Sequence, residues 1–233
     1  MIKKALLSFS LISAVCLLLS SCENFTGTGS RPPETIRVAC VGDSITRGTG
    51  IEGRLVNSYP SQLGGLLGKG WLVRNFGVNN ATVLKRGFLP YWATQELVDA
   101  LAFLPHVVVI KLGTNDARPW NWRYKNEYVR DYLALIGSFQ ALESRPRIWL
   151  CTLAPAYRGK DGGTDRVIQE EVIPRIREIG RKTGLPVIDL NTPLLGREDL
   201  FPDSVHPDER GARVIAETVY EAIVGEKRET KGR

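Results

Sequence analysis

Val38-Ala39-Cys40-Val41-Gly42-Asp43-Ser44-Ile45-Thr46-Arg47-Gly48 is an apolar run that breaks at a glycine and hands a serine to a turn. Apolar residues without alternation fit a strand covered on both faces, as in a parallel sheet. The first run spans 36–41, and comparable runs rich in Val, Ile and Leu recur at 71–76, 106–112, 147–153 and 186–190. Between them, 58–67, 94–104, 125–142, 165–183 and 207–224 carry helical spacing. Strand and helix alternate throughout, which predicts an α/β chain folded as a three-layer sandwich. Tyr128, Tyr132, Leu135 and Phe139 fall on one helical stripe and are expected in the core. Pro174 predicts a kink or boundary in its segment. Gly184 and Pro186 predict a helix stop followed by the last strand.

The chain has 233 residues, 43% of them apolar and 24% charged, the composition of one globular domain. Its start has the order of a secretory signal: Met1-Ile2-Lys3-Lys4, an apolar run over 5–19 too short to span a bilayer comfortably, then Ser20-Ser21-Cys22. Leu19-Ser20-Ser21-Cys22 resembles the bacterial lipobox, which implies a signal peptide over 1–21, lipidation at Cys22 and an exported, cell-envelope chain touching the membrane through that anchor alone. Residues 22–34, rich in Gly, Ser, Thr and Pro, read as a flexible tether. They lead to a domain over 35–226 and a charged tail over 227–233. The formal charge of +6 is spread over scattered positions and that tail, which argues against a nucleic-acid partner. Cys40 and Cys151 lie inside apolar runs without metal-ligand spacing, so buried thiols are expected, with neither disulfide nor structural zinc.

In an open parallel sheet, ligands bind beyond the carboxyl ends of the strands. Ser44, Gly77, Gly113-Thr114-Asn115-Asp116 and Asp203-Ser204-Val205-His206 are all placed there by the strand assignment. A serine hydroxyl becomes a nucleophile when a hydrogen-bonded base takes its proton, and a carboxylate that orients the base completes the device. The chain has two histidines. His206 stands three residues after Asp203, a spacing that lets both side chains project from one side of a turn, whereas His106 opens the third strand and is expected to be structural. Ser44 is therefore the candidate nucleophile, lifted clear of the sheet by a tight turn at Gly42; His206 is the candidate base and Asp203 its orienting carboxylate. Plainer roles fit the same residue types: a helix N-cap for Ser44, a surface site beside Pro207 for His206, and ordinary turn chemistry for Gly77 and Asn115. Gly42-Asp43-Ser44-Ile45-Thr46 lacks the second glycine of the G-x-S-x-G elbow, which argues against the α/β-hydrolase fold. A glycosidase built on Asp43 and Asp116 would leave Ser44 and His206 without purpose.

Taken together, Gly42-Asp43-Ser44-Ile45-Thr46, Asn75-Phe76-Gly77-Val78-Asn79-Asn80, Gly113-Thr114-Asn115-Asp116 and Asp203-Ser204-Val205-His206 resemble, in order, the four blocks of the SGNH hydrolases, or GDSL esterases. The resemblance spans nearly all of the domain. It implies a flavodoxin-like sheet of five parallel strands and a Ser-His-Asp ester hydrolase that needs no metal or organic cofactor. It also implies an oxyanion hole made by the N–H groups of Ser44 and Gly77 with the Asn115 amide. The wider sequence, including Val73-Arg74-Asn75-Phe76-Gly77 and the stretch from Phe201 to Pro207, looks most like the sialate O-acetylesterase-like and carbohydrate acetylesterase members. That implies removal of small acyl groups, above all acetyl, from a small-molecule or polysaccharide ester through an acyl-Ser44 intermediate. Asp43, Tyr91, Trp92, Trp120 and Trp122 are the candidates for contacting the substrate. Two rivals use the same residues: a lipase, lysophospholipase or thioesterase on longer acyl chains, and a non-catalytic carbohydrate-binding protein of the cell envelope.

Overall fold

The computed structural model describes residues 35–157 and 163–230. The expected signal peptide, the tether up to residue 34 with Cys22, and residues 231–233 lie outside them. Five parallel strands, β1 (Ile36–Gly42), β2 (Trp71–Gly77), β3 (Val107–Lys111), β4 (Arg147–Cys151) and β5 (Val187–Ile188), form one sheet in the order β2-β1-β3-β4-β5. The helices are α1 (Ser44–Arg47), α2 (Arg54–Asn57), α3 (Tyr59–Leu67), α4 (Gln95–Ala102), α5 (Pro119–Trp122), α6 (Tyr128–Gln140), α7 (Gly163–Val167), α8 (Ile173–Thr183) and α9 (Glu209–Thr230).

Alternate strand residues enter opposite cores. Val38, Cys40, Val109, Trp149 and Cys151 meet Tyr59 and Leu63 of α3 and Ile215, Val219 and Ile223 of α9. Ala39, Val41, Val108, Ile110 and Leu150 meet α4, α6 and α8. Burial on both sides is why the strands read as unbroken apolar runs. Tyr128, Tyr132, Leu135 and Phe139 are wholly buried, as their spacing predicts. Cys40 and Cys151 are buried free thiols, and burial pushes the Cys40 thiol up to about 12.

Three boundaries depart from the expected ones for local reasons. His106 precedes β3, its Nδ1 accepting the Arg37 N–H at 3.1 Å, so the ring serves the sheet edge. β5 stops at Ile188 because the Leu190 N–H donates to Thr152 Oγ1 at 2.8 Å, while that hydroxyl donates to Asp189 Oδ1 at 3.0 Å. Side chains thus replace the ladder there. α9 continues to Thr230, so the start of the expected tail is helical. Pro174 lies in the first turn of α8, after a π-helical turn over Ile168–Val172, and α8 ends at Gly184 in the left-handed conformation (φ 70°).

The end of the sheet that leads into Ser44 is set by the register Gly42↔Gly77 and Gly42↔Lys111. A Cβ on Gly42 would strike the Thr46 hydroxyl, and one on Gly77 would strike the Arg47 backbone, so both positions admit α1 only as glycine. Lys111, fully buried, holds the other side of that helix. Its ammonium donates to Asp43 Oδ1 and Oδ2 at 3.1 Å each and to Thr114 Oγ1 at 3.0 Å, which uses all three of its hydrogens. Asp43 is the N-cap of α1, accepting the Ile45 N–H at 3.0 Å. Removing one partner of a buried ion pair strands the other charge, a cost of about 3–5 kcal/mol. Lys111→Met and Asp43→Asn should each lower unfolding free energy in urea by an amount of that order, and the double variant should lose clearly less than the sum of the two.

Candidate active site

Beyond β1, the chain enters α1 at once, and the Asp43 cap fixes Ser44 as its first residue. The Ser44 side chain stands at the carboxyl end of the sheet, and its Oγ lies 2.8 Å from His206 Nε2. His206 Nδ1 lies 2.6 Å from Asp203 Oδ2. Asp203 has two tasks, since its Oδ1 accepts the Val205 and His206 N–H groups at 3.0 and 2.7 Å. This closes a tight turn around Ser204, which takes a left-handed backbone (φ 68°). Burial would raise the Asp203 carboxyl, but the His206 ring and these two N–H groups hold it below the usual carboxylate range. The turn is anchored by Tyr157, whose N–H donates to Ser204 O at 2.7 Å and whose ring packs edge-on against Phe201, with centroids 5.2 Å apart. Nucleophile, base and carboxylate candidates thus come together from opposite ends of the sequence.

Asn115 joins them from the loop after β3. Its Nδ2 donates to Ala81 O at 3.1 Å, leaving the second amide hydrogen for another acceptor, and its own carbonyl accepts Asn121 Nδ2 at 2.8 Å. Gly77 does not join them. Its N–H donates to Asn75 Oδ1 at 2.9 Å, so the expected oxyanion donor is engaged elsewhere, and the glycine is needed for the approach of α1. Asn80 is held in a left-handed conformation (φ 61°) beside Ala81, and its N–H has no acceptor among the described residues.

The substrate candidates separate sharply. Asp43 is closed from solvent by Lys111 and the α1 cap, so it is a structural carboxylate. Tyr91 is fully buried, its hydroxyl donating to Phe76 O at 2.8 Å. Trp122 is a core residue, its ring 5.5 Å from that of Tyr128. Trp92 packs against the core and donates its Nε1 hydrogen to Val83 O at 3.3 Å, with Lys85 over its face. Trp120 alone of the group is exposed. It lines a cavity of about 290 Å³ with Thr114, Asn115, Arg118, Ala156 and Val205.

Two residues missed at the sequence level organise this rim. Lys111 left a signal, a lone cation within Val107-Val108-Val109-Ile110-Lys111-Leu112 that needs a buried partner. Asn121 left none, since an amide between two tryptophans has the look of a surface loop. Asp116, beside Asn115, is buried and accepts the Val83 and Leu84 N–H groups at 3.1 and 2.9 Å. Burial pushes its carboxyl up to about 7 against the lowering effect of those bonds. A carboxyl whose folded pKa lies above its unfolded one binds more protons when folded, so its contribution to stability is largest at low pH and is lost as pH rises through 7. The difference in melting temperature between the wild-type protein and Asp116→Asn should therefore shift against the wild type between pH 5 and pH 8, a drift absent if Asp116 titrates normally.

The GDSL-like lipase/acylhydrolase family model matches residues 40–214. An acetylxylan esterase of Xylanibacter ruminicola is 40% identical over 225 residues, an alignment that covers 88% of this chain and 47% of the relative. The chain thus spans about half the length of that relative. Among solved structures, Est24, a carbohydrate acetylesterase from Sinorhizobium meliloti, matches with a TM-score of 0.66 at 16% identity, over 82% of this chain and 99% of its own. An acetyl xylan esterase matches with a TM-score of 0.61 at 22% identity, over 81% of this chain and 100% of its own. At those identities the likeness is one of fold, and it is the flavodoxin-like sheet with helices on both faces. The family match runs from the strand that carries Ser44, through the asparagine loop, to α9 beyond His206, and the chain belongs to the GDSL-like lipase/acylhydrolase family.

Proposed function

We propose that the chain is a serine esterase that removes acetyl groups from a carbohydrate. The reading is carried by the continuous hydrogen-bond relay from Ser44 Oγ through His206 to Asp203, next to a small cavity lined in part by Asn115 and by Val205, the residue before His206. His206 Nε2 takes the Ser44 proton as Oγ attacks the ester carbonyl, while Nδ1 keeps its hydrogen and donates it to the Asp203 carboxylate, which stabilises the imidazolium. The negative oxygen of the tetrahedral intermediate is met by the Ser44 N–H at the start of α1 and by the free amide hydrogen of Asn115. In place of Gly77, the Asn80 N–H is the third donor: it has no acceptor among the described residues, and it belongs to the residue before Ala81, whose carbonyl holds Asn115. His206 returns the proton to the departing sugar hydroxyl. Water then attacks the acyl-Ser44 ester by the same route in reverse.

The 40% identical acetylxylan esterase supports an acetylated glycan as substrate. The cavity agrees, because about 290 Å³ lined by hydroxyl, amide, guanidinium and indole groups beside Pro119, Ala156 and Val205 suits a sugar ring with its apolar face and hydroxyl edge. Ser44→Ala should lower kcat on p-nitrophenyl acetate by at least about a thousandfold. Unchanged turnover would remove Ser44 from the chemistry and favour the non-catalytic binding protein. Among p-nitrophenyl esters, acetate should be the preferred acyl group, and a peak at octanoate or beyond would favour the lipase and thioesterase reading.

The basic, apolar and small-residue order of 1–22 supports export and lipidation at Cys22. In a bacterial host, labelled fatty acid should be incorporated into the wild-type chain and not into Cys22→Ala; equal labelling of both would exclude the anchor.

A further inference from the structure

Of the large apolar side chains exposed among the described residues, two are aromatic, Phe88 at 76% and Trp120 at 53%. They meet at one buried side chain. Asn121, 2% exposed, follows Trp120 directly in α5 and accepts the Phe88 N–H on Oδ1 at 2.8 Å. Its Nδ2 donates to the carbonyl of Asn115, also at 2.8 Å. Both aromatic rings are therefore mounted two hydrogen bonds or fewer from the residue proposed to bind the oxyanion, and Trp120 already lines the cavity there.

The loop that carries Phe88 is built to be rigid. Thr82 pairs with Pro90 in a parallel bridge, and the Thr82 N–H donates to Leu89 O at 2.9 Å. Successive N–H groups of Val83, Leu84 and Lys85 are held by the buried carboxylates of Asp116 and Asp131. Neighbouring aromatic faces are covered, Trp92 by Lys85 and Tyr124 by Arg86, each with its charge 4.0 Å from the ring centroid. Phe88 has no such cover among the described residues. Holding a bare phenyl ring in water on a fixed loop forgoes the benefit of burying it, and an exposed apolar surface beside a reactive centre is a common mark of a binding site.

We propose that Phe88 and Trp120 form a stacking platform for the sugar rings that flank the esterified residue, so that the preferred substrate is an acetylated oligosaccharide or polysaccharide and not an acetylated monosaccharide. This rests on the carbohydrate acetylesterase reading above. A sugar ring has an apolar C–H face and a hydroxyl edge. Lying on Phe88 and Trp120, such rings would cover aromatic surface while their edges stay open to water and to the Arg118 guanidinium, which lines the cavity and lies 5.7 Å from the Trp120 ring centroid. With the esterified residue in the cavity, the glycan chain continues outward over the two rings, and each added ring contributes binding without touching the chemistry.

The test uses the full-length protein and three forms, wild type, Phe88→Ala and Phe88→Tyr, assayed for acetate release from acetylated xylan and for turnover of p-nitrophenyl acetate. In Phe88→Ala, the ratio of kcat/KM on the polymer to kcat/KM on the aryl ester should fall about tenfold, the equivalent of about 1.4 kcal/mol of lost stacking, and chiefly through KM on the polymer. Phe88→Tyr, which keeps the ring, should restore the ratio to within about twofold of wild type. A ratio unchanged in Phe88→Ala, with a wild type that deacetylates the polymer, overturns the platform and leaves the acetylesterase reading intact. A wild type that cleaves the aryl ester but frees no acetate from any glycan overturns that reading itself.

Discussion

The ion pair between Lys111 and Asp43 is the constraint on which the rest of the site depends. It joins the end of β3 to the N-cap of α1, the helix that begins at Ser44, through a direct contact of 3.1 Å between two fully buried side chains. Asp43 is tied three ways, to both contacts with the ammonium and to the Ile45 N–H, so α1 cannot rotate about its entry from β1 without breaking a buried charge contact. Pairs of this kind bring little net stability compared with well-packed apolar residues, and their value lies in permitting one arrangement. Here that arrangement aims the Ser44 hydroxyl at His206 and leaves the Ser44 N–H at the open end of α1.

Around this fixed point, rigid loops deliver the remaining groups, and each is held by side chains bonded to backbone. Asn75 holds the end of β2, Asp116 and Asp131 hold the loop after it, and Asn121 holds the asparagine loop to the loop bearing Phe88. Asp203 holds its own turn. The site is thus a set of loops whose backbone polar groups find partners on neighbouring loops, which is what lets irregular segments pack close together without leaving buried donors unpaired.

Much of this was legible in the sequence, for identifiable reasons. Strands with both faces buried announce themselves as apolar runs, and the Asp203–His206 spacing is local, so a single turn satisfies it. Ser44 was legible because its position after a strand and a glycine leaves little choice of where its side chain goes. What the sequence left open was which side chains around the site stay accessible once the loops have packed. The resemblance implied Gly77 as an oxyanion donor, yet Asn75 two residues earlier takes its N–H. Tyr91, Trp92 and Trp122 share their aromatic character with Trp120, and only the fold distinguishes three packed rings from one exposed one. Asp43 looked reachable because it adjoins Ser44, whereas its neighbour in space is a lysine 68 positions away.

The separation between Ser44 and His206 is 162 residues, and the histidine arrives just before α9, the helix that closes one face of the sheet. A chain still lacking the segment after β5 has Ser44 without its imidazole partner and a sheet with one core half covered. The contact between Ser44 and His206 therefore forms only together with the arrival of α9, in the same event that seals the hydrophobic layer. Removal of the segment from Asp203 onward would abolish it as surely as loss of the serine.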